Sequence, residues 1–296
     1  MDEKYQRLTL FEFADFSRLR SMSALVVGVG GLGAIVTEIM ARVGIGRLVL
    51  MDYDTLELAN MNRLIYKPSQ VGKYKVDALE EYLTEVNLDV DIATYPFDIT
   101  TGEGYKAFVK ELKQCDVVFG CVDSFGVRLF INAKCVENGK TLIDGGASLD
   151  GIRGSVQVVI PNKTACYRCH RHALGLGRVE SGAELKEREK REENLDFYLS
   201  IKEPAKDRPS GICHLTSLPT TMAVIAALQC QEGFKHLLDF GKVASFLMYN
   251  GISGEVERYD RKKDPGCPVC GTRKVKMDEK KLEEIEKAAE MFDKMT

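Results

Sequence analysis

The stretch ALVVGVGGLGAIVTEIMARVGIGRLVLMD, residues 24–52, decides the fold. Ala24–Val29 is a continuous apolar run of strand length, as expected for a strand buried on both faces. Gly28, Gly30, Gly31 and Gly33 follow at its end and lead into an amphipathic stretch, Leu32–Val43. Arg47–Met51 is a second strand and ends in Asp52. A strand, a glycine loop, a helix and a strand together predict a phosphate-binding turn. Glycines let the backbone turn tightly and approach phosphate oxygens with no Cβ in the way, and the helix N-terminus offers unpaired N–H groups to an anion. Asp52, about 20 residues further on, is placed for ribose hydroxyls. The motif says nucleotide without saying which one; alone, it points first to an NAD-dependent oxidoreductase.

Working outward, the alternation continues. Lys73–Val86 reads as a helix, Asp89–Pro96 as a strand, Tyr105–Lys113 as a helix, Asp116–Cys121 as a strand, Phe125–Asn138 as a helix and Thr141–Ile143 as a strand. This predicts an α/β, doubly wound, mostly parallel sheet of the Rossmann-like kind. After Gly145 and Gly146 the grammar changes: Gly154–Ile160 alternates like an antiparallel strand, an antiparallel extension of the sheet. Residues 1–170 are expected to form the nucleotide-binding half. Residues 171–212 form a charged crossover segment, of which Leu185–Asn194 (LKEREKREEN) is the extreme, read as a solvated helix or a mobile loop. Residues 213–273 complete the domain, with a long apolar helix over Leu218–Leu238 and a strand over Val243–Tyr249; residues 274–296 read as a charged helical tail.

Composition excludes whole classes. Among 296 residues, 41 Lys and Arg against 44 Asp and Glu leave a net charge of −3, which does not advertise nucleic-acid or anionic-membrane binding. No window approaches the ~18 apolar residues of a membrane span, and the charged N-terminus does not read as a secretory signal. A cytoplasmic protein is expected, and its odd number of cysteines, nine, argues against a disulfide framework.

Further segments redirect the nucleotide reading. Asp54 follows Asp52 by two residues, then come Asn60-Met61-Asn62-Arg63, Lys75 and, later, Cys121-Val122-Asp123-Ser124 with Arg128. The combination GVGGLG, DYD, NMNR, lysine and CVDS resembles the superfamily of ubiquitin-like-modifier activating enzymes and the molybdopterin and thiamine adenylyltransferases, over about Tyr5 to Cys270. The resemblance implies adenylation of a protein's C-terminal glycine carboxylate with ATP and Mg²⁺. Charge builds on phosphate oxygens in that reaction, so cations must sit where it develops. The resemblance places Arg63 and Lys75 on the phosphates, Asp52 on the ribose and Asp123 on Mg²⁺, with Gly28, Gly30, Gly31, Gly33, Asn60 and Ser124 around the nucleotide and Asp54 a lesser acidic candidate. Asp123 is equally suited to cap the helix that follows. Arg7 is either a solvated tail residue or, as in relatives, an arginine that reaches the partner's ATP in a homodimer.

Cys166/Cys169 and Cys267/Cys270 have the spacing of zinc knuckles, which four thiolates bind tightly; a redox pair is the competing reading. The resemblance implies a closed structural Zn²⁺ site, with His170 and His172 as bystanders. Cys213 precedes SLPTTM at the start of the apolar helix, where the dipole lowers a thiol's pKa and prepares it for acyl transfer. There the chain is most similar to the activating enzymes of ubiquitin-fold modifier 1, so a thioester on Cys213 and transfer to a conjugating enzyme are implied. His214 is a possible base, although adjacency in sequence does not bring side chains together. That type usually has a longer C-terminal region; here 26 residues follow Cys270, either a shortened partner-binding helix or a capped end. A sulfur-carrier adenylyltransferase with no thioester step, an NAD-dependent oxidoreductase and a non-catalytic scaffold remain as alternatives.

Overall fold

The computed structural model describes residues 3–63, 65–148, 150–171 and 217–271. The segment expected to be a mobile crossover, Cys213 and His214, and the charged tail lie outside the described residues.

Among the described residues eight strands form one sheet: β1 (Ser23–Val27), β2 (Arg47–Met51), β3 (Asp91–Tyr95), β4 (Val117–Gly120), β5 (Thr141–Ala147), β6 (Arg153–Val159), β7 (Phe246–Asn250) and β8 (Glu255–Tyr259). Their order is β3-β2-β1-β4-β5-β6-β7-β8. The first five are parallel, and β6, β7 and β8 extend the sheet antiparallel. The α-helices among the described residues are α1 (Gly33–Arg42), α2 (Lys75–Val86), α3 (Gly102–Gln114), α4 (Phe125–Glu137), the short α5 (Tyr167–Arg171) and α6 (Pro219–Leu238).

The apolar runs of β1 and β2 have no polar alternation because both sheet faces are covered. Ala24, Val26, Leu48 and Leu50 point into one core with Met40, Leu79, Leu83, Ile225 and Phe234. Leu25, Val27, Val49 and Met51 point into the other with Phe108, Leu112, Ile131 and Cys135. Each such side chain removed from water contributes roughly 1.5–3 kcal/mol before entropy is charged against it. Among the described residues no helix is long and apolar enough to cross a membrane.

Three differences from the sequence reading have physical causes. β5 does not stop at Ile143 but continues through Gly145 and Gly146 to Ala147. Those glycines are in the strand because neighbours fill the space of a side chain: a Cβ on Gly145 would lie 2.2 Å from the Gln229 amide, and one on Gly146 2.4 Å from the Arg128 guanidinium. In β6 the expected alternation is absent, with Val156, Gln157, Val158 and Val159 all buried. β8 was not anticipated: its five residues are all exposed, so it has no buried face to betray it.

The N-terminal segment is docked rather than loose. Glu3–Leu10 forms a 3-10 helix whose Tyr5 is buried and accepts a hydrogen bond from Asn87 Nδ2 at 2.6 Å.

Candidate active site

A cleft of about 350 Å³ opens at the C-terminal ends of β1, β2 and β4, where the strand order reverses and ligands of doubly wound sheets bind. Gly28, Gly30, Gly31, Asp52, Asp54, Arg63, Lys75, Asp123, Ser124 and Arg128 all line it. The glycine loop is shaped by steric necessity at two positions. Gly28 has φ +85°, and a Cβ there would lie 2.7 Å from the Cys121 carbonyl. A Cβ on Gly33 would lie 1.8 Å from the Gly28 carbonyl, so Gly33 closes the turn onto α1 rather than facing the cleft. Gly30 has open space beside it.

Asp52 is fastened under the loop. Its Oδ2 accepts from Val29 N at 2.8 Å and its Oδ1 from Asp54 N at 2.9 Å. Burial pushes its pKa up from the ordinary carboxylate range, while Lys75 and the two backbone donors draw it back. Lys75 opens α2 and is turned inward: Nζ donates to Asp54 Oδ2 at 2.6 Å, and the side chain is only 11% exposed. Asp54 is therefore the counter-ion of Lys75.

Arg63 follows a short 3-10 turn, Leu58–Asn60. Its Nη1 donates to Ala59 O at 3.1 Å and to Asn62 Oδ1 at 3.0 Å. Among the described residues it forms no ion pair with a carboxylate, so its charge is available to a ligand. Asn60 does not line the cleft. Its Oδ1 accepts from Glu57 N at 3.1 Å, and its carbonyl from Arg63 N at 3.2 Å, so it shapes the turn that carries Arg63. Ser124, not Asp123, caps α4: its hydroxyl accepts from Val127 N at 3.5 Å. The exposed Asp123 carboxylate is left to the cleft, as a cation ligand requires. Arg7 lies on the exposed side of the first 3-10 helix and does not line this cleft.

The four paired cysteines converge. Cys166, Cys169, Cys267 and Cys270 are buried, and their sulfurs all lie within 4.8 Å of one another. Individual separations are 3.9 Å for Cys166–Cys169, 3.6 Å for Cys166–Cys267 and 3.2 Å for Cys169–Cys270. Tetrahedral Zn–S bonds of ~2.3 Å set sulfurs about 3.8 Å apart. The donor set therefore fits a structural zinc, and Asp264 N donates to Cys169 Sγ at 3.4 Å as an outer support.

A buried network between the two sites was missed by sequence reasoning. Asp144, on β5 and fully buried, accepts on Oδ2 from both Arg128 Nη1 and the Tyr167 hydroxyl. Burial works against the Arg128 charge, but Asp144 more than offsets it and holds the guanidinium protonated. The available signal was an aspartate inside an apolar strand, which needs a partner. A second such brace is Gln229 of α6, whose Nε2 donates to Gly120 O and Ile143 O, both at 3.1 Å.

Known proteins resemble this chain in sequence and in fold. The chain is 37% identical over 270 residues to a ubiquitin-like modifier-activating enzyme 5 from Oryza sativa, covering 88% of this chain and 58% of that one. It is 36% identical over 261 residues to the protein of the same name from Dictyostelium discoideum, covering 86% and 62%. The chain thus spans about three fifths of the length of these relatives. The crystal structure of Escherichia coli MccB with ATP shares the fold, with a TM-score of 0.69 at 20% identity over 92% of this chain and 75% of that one. The ThiF family model matches residues 2–269, the span that holds the glycine loop, the cleft and three of the four clustered cysteines, and the chain belongs to the ThiF family.

Proposed function

We propose that this chain uses Mg²⁺–ATP to adenylate the C-terminal glycine of a ubiquitin-like modifier, then takes the modifier onto Cys213 as a thioester for a conjugating enzyme. The observation that carries the reading is the convergence of Arg63, Lys75 and Asp123 on one cleft with Asp52 and the glycine loop. A dinucleotide site needs the loop and the acid; it does not need two cations and a further free carboxylate.

In the first reaction a carboxylate oxygen attacks the α-phosphorus of ATP and the bond to the bridging oxygen breaks, releasing pyrophosphate. Negative charge grows on the phosphate oxygens, and preorganised cations are worth most there. Among the described residues Arg63 offers a guanidinium with no competing carboxylate. Lys75 offers an ammonium paired with Asp54. Asp123 would hold Mg²⁺, which supplies charge neutralisation when bound. Asp52 would accept the ribose hydroxyls with the lone pairs its backbone donors leave free.

In the second reaction the Cys213 thiolate attacks the acyl carbon and AMP leaves. Cys213 lies outside the described residues, but Ser217 lines the cleft, and four residues of chain reach at most about 14 Å. The curated relatives are named as ubiquitin-like modifier-activating enzymes, and a fold neighbour is a complex with ATP; both support the reading. The four-cysteine site is read as structural. A cytoplasmic homodimer, with Arg7 reaching the partner's cleft, completes the proposal.

The test is ATP–pyrophosphate exchange in the presence of ubiquitin-fold proteins ending in a free glycine, followed by non-reducing gels. Exchange and a thiol-sensitive adduct are expected, with only the adduct lost in Cys213→Ala. Absence of exchange with every such tail, in zinc-replete protein, overturns the reading. Exchange without an adduct moves the chain to the sulfur-carrier adenylyltransferases.

A further inference from the structure

Tyr167 occupies an unusual place: it stands between two zinc-ligand candidates, Cys166 and Cys169, yet its hydroxyl points away to Asp144. Its backbone N–H also donates to Asn132 Oδ1 of α4 at 3.1 Å. The Asp144 oxygen that takes the phenol proton takes Arg128 Nη1 as well. Arg128 Nη2 then donates to the Val122 carbonyl at 2.5 Å, one residue before Asp123. A continuous line of hydrogen bonds therefore runs from the four-cysteine site to the loop that carries the free carboxylate of the cleft.

Two features say that this line is more than packing. First, it is costly: among the described residues Asp144 Oδ1 and Asn132 Nδ2 are buried without a hydrogen-bond partner, a desolvation cost that an apolar replacement would avoid. Second, the backbone makes room for it. A Cβ on Gly120 would lie 2.4 Å from Asp144 Oδ1, and one on Gly146 2.4 Å from Arg128 Nη2. Both strands next to the network give up a side chain where it passes.

We propose that Tyr167, Asp144 and Arg128 form a positioning relay that couples zinc occupancy of the four-cysteine site to nucleotide binding in the cleft. Zinc fixes the Cys166–Cys169 turn and with it the Tyr167 hydroxyl; Asp144 and Arg128 pass that position to Val122 and so to Asp123. Coupling between sites is reciprocal, so bound nucleotide must retain zinc by the same factor with which zinc tightens nucleotide. The relay rests on the nucleotide reading of the cleft, and the experiment separates the two.

The experiment uses the zinc-loaded full chain. Mg²⁺–ATP affinity is measured by calorimetry, and zinc affinity by equilibrium competition with a chromogenic chelator, with and without saturating Mg²⁺–ATP. In the parent protein ATP is expected to tighten zinc at least about fivefold, the lower end of typical coupling. Tyr167→Phe keeps the ring and removes the hydroxyl. It is expected to hold one zinc per chain, bind ATP more weakly, and lose the effect of ATP on zinc affinity. Asn132→Leu, which cuts the second tie of Tyr167, is expected to reduce the effect in the same direction and serves if Tyr167→Phe does not fold. Equal tightening of zinc by ATP in parent and variants overturns the relay, as does ATP binding with no effect on zinc affinity in the parent. No ATP binding in the parent overturns the cleft reading and the relay with it.

Discussion

Lys75 Nζ sits 2.6 Å from Asp54 Oδ2, the lysine nearly enclosed at 11% exposed and the aspartate open at 52%. The cation is thus parked, at the cleft wall, on a counter-ion that solvent can still reach. Lys75→Ala is expected to cut ATP–pyrophosphate exchange about 100-fold, the scale for losing one preorganised charge in a transition state. Asp54→Asn, which only unparks the lysine, is expected to change exchange less than tenfold.

The glycine loop separates fold from function at single-atom resolution. Gly33→Ala forces a Cβ to 1.8 Å from a carbonyl and is expected to cost at least about 2 kcal/mol or to prevent folding. Gly30 has nothing within 4 Å, so Gly30→Ala is expected to melt with the parent yet bind ATP about tenfold more weakly. Thermal unfolding paired with calorimetry reads both.

Asp52 gives opposite pH trends for binding and stability. Burial raises its pKa in the fold. Ribose hydroxyls need the ionised form, so ATP affinity is expected to fall with pH through that raised value, above the ordinary ~3.9. Stability runs the other way: the fold favours the protonated acid, so this group's contribution is present below the unfolded pKa and is lost as pH rises through the folded one. Asp52→Asn is expected to flatten both limbs, read by calorimetry and by melting as functions of pH.

Cysteines sort by location. Cys267→Ser is expected to abolish stoichiometric zinc and to lower the melting temperature by more than about 5 °C, since metal-binding energy is folding energy in such sites. Cys135, buried in the same core but outside the cluster, is expected to keep one zinc per chain as Cys135→Ala. Colorimetric metal content after unfolding measures the difference.

Much of this fold was legible because its signals are local. The run over Arg47–Met51 is β2 to the residue, and the apolar helix begins at Pro219 where proline is tolerated in a first turn. Gly28 and Asp52 were legible from spacing, Arg63, Lys75 and Asp123 only through the family resemblance, and all five line one cleft. The misses need partners far along the chain. Gly145 and Gly146 looked like the end of a strand because the side chains that replace theirs come from Gln229 and Arg128. Asp144 reads as an oddity until Tyr167, 23 residues on, supplies its donor. Asp123 and Ser124 are equally good caps by composition, and only backbone geometry chose the serine.

The exposed outermost strand has a consequence for how copies of this chain meet. Among the described residues β8 pairs on one side only, and an unpaired strand rim invites another chain to join. Glu255, Glu257 and Arg258 stand along that rim with Tyr259 and Val256. Their charges oppose edge-to-edge stacking, so among the described residues the rim is guarded by charged side chains rather than by a covering helix.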